Sequence, residues 1–266
     1  MMALTFTVQE NLLPGDTVAE KWAHAERLGF AGIELRGGAG MSDRLPELRA
    51  ARAAGVPMQS ICIMTRDFIG GFTPEQRQAA HAVMRELLDV AGEIGAAGVI
   101  TPAAYGLHSN RLPPFTPPRP PAEDRAILVE ALTRLGEHAA AGGTEVWLEP
   151  LNRYEDHMIN RLAQGVDIVT AVGLPSVGIM ADLFHMNIEE ADPARALRDA
   201  GAFVRHVHLA DSHRLEPGTG HTDFAAPFAA LAEIGFSGVC ALECGLSGTP
   251  EQALSRACAA LRRAEG

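Results

Sequence analysis

The sequence predicts a single closed (β/α)8 barrel over residues 1–266, and three observations predict it: a recurrent helix-to-strand junction, a total of eight strands, and no glycine-rich phosphate loop of the kind that marks an open doubly wound sheet. The junction is a helix-like segment ending in glycine, a very short link and a β-rich run, and it recurs seven times. The copies read RLGFAGIEL (27–35), AAGVPMQSI (53–61), EIGAAGVIT (93–101), AAGGTEVWLE (140–149), AVGLPSVGIMAD (171–182), DAGAFVRHVHL (199–209) and EIGFSGVCALE (233–243). With the opening run LTFTV (4–8) they make eight strands. Glycine at each helix end accepts the left-handed backbone that follows the last turn, so every junction also marks where a helix stops.

The segments between are helical by period. In 73–95, Thr73 is placed to cap, Pro74 takes the first helical position, Gln76 completes a capping box, and Val83, Leu87, Val90 and Ile94 share one face. The same TPEQ signal at Thr249 to Gln252 opens the last helix. Strands alternating with helices must run parallel, and closing the parallel sheet removes its edges. The sequence GGAG at 37–40 lacks the spacing of a dinucleotide loop and reads as an ordinary turn.

Composition limits the partners. At 266 residues and 47% apolar content the chain can bury one large core. A net charge of −11, from 33 acidic and 22 basic residues, opposes binding to a nucleic-acid backbone or an anionic membrane and suits a small neutral substrate. Cys62, Cys240, Cys244 and Cys258 have neither zinc-ribbon spacing nor the density of a disulfide scaffold. Without a basic and apolar leader pattern or a run of about 18 apolar residues, a soluble cytoplasmic protein is expected.

The segment HSNRLPPFTPPRPPAE (108–123) separates the fourth strand from its helix on the face where barrels carry their sites. Two readings stand side by side: a passive surface loop, and a partial lid bringing Phe115 and His108 over a substrate.

Barrel enzymes draw their chemistry from the carboxyl ends of the strands. Here strand five ends in Glu149, strand six in Asp182, strand seven carries His208 and strand eight ends in Glu243. Residues two apart share a face, so Glu149 lies over Trp147, Asp182 over Met180 and Glu243 over Ala241. Three uncompensated carboxylates in one interior would repel and lose hydration, and a divalent cation turns that penalty into a binding site. Oxygen donors with one imidazole favour Mn²⁺, with Mg²⁺, Co²⁺ and Zn²⁺ as alternatives. His206, one layer deeper than His208, is expected to be a hydrogen-bonded core histidine. His213 and His221 are expected to be loop bystanders, and Asp211 either orients Arg214 or caps the loop after it.

Four motifs carry a resemblance: EPLNRYE (149–155), DLFHMNIEE (182–190), HVHLADSHR with PGTGHTDF (206–224), and ALE (241–243). In order and spacing they resemble the xylose isomerase-like TIM barrels of the sugar isomerase and epimerase family, especially the ketose 3-epimerases and the hydroxypyruvate isomerase-like proteins. The specific resemblance covers the second half of the chain. It implies Glu149, Asp182, His208 and Glu243 as metal ligands, Glu149 and Glu243 as the proton-exchanging pair, and His185, Glu155 and Arg214 as substrate-binding residues. It also implies assembly as a homodimer or homotetramer.

Chelation of a carbonyl and the neighbouring hydroxyl by one cation would ease loss of the proton between them and stabilise an enediolate. Return of the proton on the opposite face is epimerisation, here expected at C3 of an unphosphorylated ketose. Return to the adjacent carbon is aldose-ketose isomerisation, for example of a hydroxy-keto acid such as hydroxypyruvate, and loss of a hydroxyl is dehydration. An endonuclease IV-type nuclease shares the barrel and the DLFH and HLADS pieces, but it needs three metals, and the third strand offers Ser60 and Cys62 where further ligands would be wanted. A non-catalytic sugar sensor would have no need of both Glu149 and Glu243.

Overall fold

In the computed structural model, which describes residues 3–266, each glycine junction is a helix end followed by a strand. The strands are β1 (Thr5–Gln9), β2 (Ile33–Gly37), β3 (Met58–Ile63), β4 (Gly98–Pro102), β5 (Glu145–Glu149), β6 (Val177–Asp182), β7 (Val204–Leu209) and β8 (Val239–Leu242). All neighbours are parallel, and β8 returns to β1 to close the barrel. The helices are α1 (Val18–Arg27), α2 (Leu45–Ala53), α3 (Pro74–Ile94), α4 (Pro121–Ala141), α5 (Leu162–Val172), α6 (Leu183–Glu189), α7 (Pro193–Ala200), α8 (Ala225–Glu233) and α9 (Pro250–Glu265). Among the described residues no helix is long and apolar enough to cross a membrane.

Local signals account for the boundaries. At α3, Thr73 and Gln76 make the expected reciprocal capping box, and Gly95 ends the helix at φ 73°. Its buried face runs through Ala80, Met84, Leu87, Ala91 and Ile94, so Val83 sits at the margin, half-buried rather than central. At α9, Thr249 accepts from the Gln252 N–H. The first strand is displaced by one residue from the run LTFTV, so that it ends on Gln9 and directs that amide into the barrel.

Alternation along the strands divides the apolar residues in two. Val99, Val146, Leu148, Ile179, Ala181, Val207 and Leu209 belong to the large core that includes the helices' buried faces. Cys62, Ile100, Trp147 and Met180 form a separate cluster inside the barrel. This inner layer is the floor beneath Glu149 and Asp182, each two residues further along its strand. Trp147 fills much of it, because β4 presents only Gly98 opposite the indole. The ring stacks on His206 with centroids 5.1 Å apart and an interplanar angle of 12°.

The proline-rich segment is tied down at both ends. The Gly106 N–H donates to the Glu155 carbonyl at 2.7 Å and the Asn110 N–H to the Arg153 carbonyl at 2.8 Å. Buried Arg119 pairs with Asp124 and donates to the carbonyls of Gly70 at 2.8 Å and Gly71 at 3.2 Å.

A Cβ added at Gly98 would meet Trp147 Cε2 at 2.5 Å. Gly98→Ala should therefore destabilise the protein by about 1–3 kcal/mol, as overpacking of a filled interior does. Urea denaturation monitored by circular dichroism reads this as a lower midpoint at an unchanged slope, and an unshifted midpoint would contradict the packing described.

Candidate active site

Register brings the strand ends together. Asp182 pairs with His208 across β6 and β7, and His208 with Ala241 across β7 and β8, which places Glu243 at the next inward position. One ligating atom from each of Glu149, Asp182, His208 and Glu243 lies within 4.8 Å of the others. His208 Nδ1 is 3.3 Å from Glu243 Oε2 and 3.8 Å from Glu149 Oε1. Glu149 Oε1, Asp182 Oδ2 and His208 Nδ1 are buried and make no hydrogen bond. Orphaned lone pairs converging on one point are what a divalent cation satisfies, so the donor set fits such an ion.

The charges around this point are strongly coupled. Burial pushes the Glu149 carboxyl well above its ordinary range, and the adjacent Glu243 charge raises it further. Burial acts on Glu243 in the same sense, but the His208 imidazolium and the Arg214 guanidinium outweigh it and hold this carboxyl well below the usual range. His208 is raised well above an ordinary histidine: burial opposes its charge, but the carboxylates of Glu34 and Glu243 prevail. A cation at the site would displace that proton and neutralise the carboxylates together.

The other three expected residues border the same cavity, about 250 Å³ in volume, with Glu149 and Glu243 at its base and Met64, Phe68 and Tyr105 on its apolar side. His185 follows β6 in the first turn of α6, and its Nδ1 receives the Asn152 backbone N–H at 3.2 Å and sits 2.8 Å from that residue's side-chain amide nitrogen. The other ring nitrogen, Nε2, lies 3.4 Å from Asp182 Oδ2. Arg214 Nη1, which can only donate, lies 2.9 Å from the same Nε2, so both ring nitrogens have N–H donors beside them and the imidazole and guanidinium adjoin at the cavity wall. Glu155 accepts from the Asn152 amide at 3.1 Å and turns its carboxylate to the cavity.

Arg214 is held by its backbone. It is the one non-glycine residue at positive φ (62°) among the described residues, in a turn closed by its N–H to the Asp211 carbonyl at 2.8 Å. The Gly245 N–H donates to the Arg214 carbonyl at 2.7 Å, which ties the loop after β7 to the loop after β8. The guanidinium lies 4.6 Å over the Phe184 ring and pairs with Glu243 at 2.6 Å and Asp182 at 3.4 Å. Asp211 does not touch this side chain. Its carboxylate accepts from the N–H groups of Ser212, Gly218, Thr219 and Thr222 at 2.8–3.1 Å, so it caps the loop that carries Arg214.

His206 is fully buried, with Nε2 2.8 Å from Glu34 Oε2. His213 and His221 are exposed and outside the cavity lining. Neither His108 nor Phe115 lines the cavity; Tyr105, ahead of the segment in the loop after β4, does, while His108 packs edge-on against His157. Ser60 donates to Glu34 at 2.7 Å, and the Cys62 thiol lies 3.7 Å from Glu243 Oε1. Sequence reasoning passed over Glu34, Gln9 and Asn152. Glu34 carries a weaker signal than Glu149, a carboxylate within the apolar junction RLGFAGIEL and not at the end of its strand.

A closed parallel barrel with a cation-competent cluster of carboxylates and imidazole at its carboxyl end defines a class of metal-dependent barrel enzymes. The chain belongs to the xylose isomerase-like TIM barrel family, whose profile matches residues 22–264. It is 38% identical over 224 residues to the 3-dehydro-D-guloside 4-epimerase of Escherichia coli (strain K12), covering 84% of this chain and 85% of that one. It is 33% identical over 186 residues to the ketose 3-epimerase of Arthrobacter globiformis, covering 69% of this chain and 61% of the relative. The crystal structure of a 3-keto-D-glucoside 4-epimerase from E. coli superimposes with a TM-score of 0.91 at 35% identity, covering 98% of this chain and all of that one.

Burial alone would raise the Asp211 carboxyl, but the backbone donors around it hold it at about 2, below its ordinary 3.8. A depressed folded-state value means the stabilisation is complete above pH 4 and is lost as pH falls toward 2. Asp211→Asn should lower stability by about 1–3 kcal/mol at neutral pH, since a neutral amide oxygen accepts these N–H groups less well. The gap between wild type and variant in thermal midpoint should narrow below pH 4, and a gap constant from pH 7 to pH 2.5 would refute the capping role.

Proposed function

We propose that the protein is a divalent-metal-dependent epimerase of an unphosphorylated keto-sugar, with Glu149, Asp182, His208 and Glu243 as metal ligands and Glu149 and Glu243 as the acid and base pair. The observation that carries this reading is the convergence of those four side chains within 4.8 Å at the base of a cavity whose walls supply His185, Arg214 and Glu155. A bound cation, Mn²⁺ by preference and otherwise Mg²⁺, Co²⁺ or Zn²⁺, supplies Lewis-acid polarisation of the substrate carbonyl. His185 and the Arg214 guanidinium hold a substrate oxygen beside it, and Glu155 accepts from a hydroxyl. One glutamate takes the proton of the carbon next to the carbonyl and the other returns one on the opposite face of the planar enediolate, which inverts the centre.

The relatives' names describe one chemistry, inversion of a carbinol carbon adjacent to a ketone. The match that spans most of both chains favours C4 of a 3-keto hexoside as the reacting centre. Matches to ketose 3-epimerases favour the second reading, C3 of a free ketose. The four free cysteines suit a reducing cytoplasm, and assembly as a homodimer or homotetramer is proposed on the resemblance alone.

Incubation with Mn²⁺ in heavy water, separately with 3-keto hexosides and with free ketoses, should yield an epimer deuterated at the inverted carbon by NMR. No exchange and no new sugar from any of them would sink the proposal, and an aldose product would transfer it to the hydroxypyruvate-type isomerases. Chelation should abolish turnover and Mn²⁺ restore it, with about one ion bound per chain; a three-ion cluster would instead favour a nuclease. Glu243→Gln should lower kcat by at least about 10²-fold with the far-ultraviolet circular dichroism retained.

A further inference from the structure

Beneath the four clustered side chains lies a second buried polar layer that the proposed reaction does not use. Glu34 on β2 is fully buried, and among the described residues no lysine or arginine pairs with it. Donors from three other strands surround its carboxylate. Oε1 accepts from His208 Nε2 at 2.8 Å and from Gln9 Nε2 at 2.9 Å. Oε2 accepts from Ser60 Oγ at 2.7 Å and lies 2.8 Å from His206 Nε2. Both oxygens are engaged, so the carboxylate cannot turn without breaking contacts on β1, β3 and β7. Gln9 also reaches Glu243 Oε1 at 3.1 Å, so one amide nitrogen joins Glu34 to Glu243.

An imidazole has two nitrogens, and the bond made by one decides what the other offers. His208 gives Nε2–H to Glu34, which leaves Nδ1 facing Glu149 and Glu243. Gln9 occupies Oε1 of Glu243 and leaves Oε2 on the side of His208 Nδ1. We propose that Glu34, acting directly on His208 and through Gln9 on Glu243, is the positioning residue of the metal centre, selecting Nδ1 and Oε2 as the atoms presented to the cation. This rests on the reading of His208 and Glu243 as metal ligands. Neither Glu34 nor Gln9 lines the cavity, so neither touches substrate.

The test uses the full-length protein freed of metal. Mn²⁺ titration followed by electron paramagnetic resonance should show one ion per chain in wild type. Its Kd should rise about 10–100-fold in Glu34→Gln, the range for loss of an outer carboxylate, and severalfold in Gln9→Leu. In zinc-loaded wild type with ¹⁵N-labelled histidine, His208 should show a metal-bound Nδ1 and a protonated Nε2, an outcome a merely structural Glu34 would not require. Metal bound through Nε2, an unchanged Kd in folded Glu34→Gln, or a second ion per chain among Glu34, His206 and His208 would each overturn the proposal. Should Glu34→Gln not fold, the wild-type spectrum and Gln9→Leu decide it, and an unchanged Kd in Gln9→Leu removes the link to Glu243. Failure of wild type to bind Mn²⁺ or zinc at all would remove the metal reading itself and this proposal with it.

Discussion

Closure of the parallel sheet is the constraint on which the site depends. Eight strands in one direction bring eight carboxyl ends to one rim, and the register of β6, β7 and β8 sets Asp182, His208 and Glu243 side by side. Like charges gathered in a desolvated interior oppose folding unless something answers them. The answer is layered. An apolar floor of Cys62, Ile100, Trp147 and Met180 fills the barrel, the Glu34 network lies among its polar neighbours, and Arg214 stands against the carboxylates from the loop side.

This layering explains what could be read from the chain and what could not. Glu149 and Asp182 were legible because each closes a strand whose end is announced, and a charge at such a position has few purposes. His208 and Glu243 followed from the same pattern on β7 and β8. Glu34 sits within a strand rather than at its end, and a lone carboxylate in GIEL gains meaning only when His206, His208, Ser60 and Gln9 arrive from distant parts of the sequence. Gln9 lay one residue past the run that marked the first strand. Asn152 was hidden differently: asparagine is common in loops, and its donation to His185 depends on how the loop after β5 folds over α6. The proline-rich segment stayed open between loop and lid for a related reason, since composition alone does not reveal that Arg119 fastens it to Gly70 and Gly71.

The two sides of the pocket are built by different means. The cation-competent cluster and the residues behind it belong to strands or to the residues directly following them, where the hydrogen-bonded ladder fixes each Cα. The other groups lining the cavity come mostly from the loops after β3, β4, β5 and β7 and from the first turn of α6, of which only a few are braced as Arg214 is.

The Arg119 clasp gives this division a practical meaning. Its guanidinium, paired with Asp124, fastens the proline-rich excursion to the backbone carbonyls of Gly70 and Gly71, so the stretch between Asn110 and Pro118 is a cassette: its composition and length are open to change while its anchorage and the ion-holding staves stay as they are. The surface beside the cavity can thus diversify, in nature or in the laboratory, without reopening the problem of how to bury four ionisable groups.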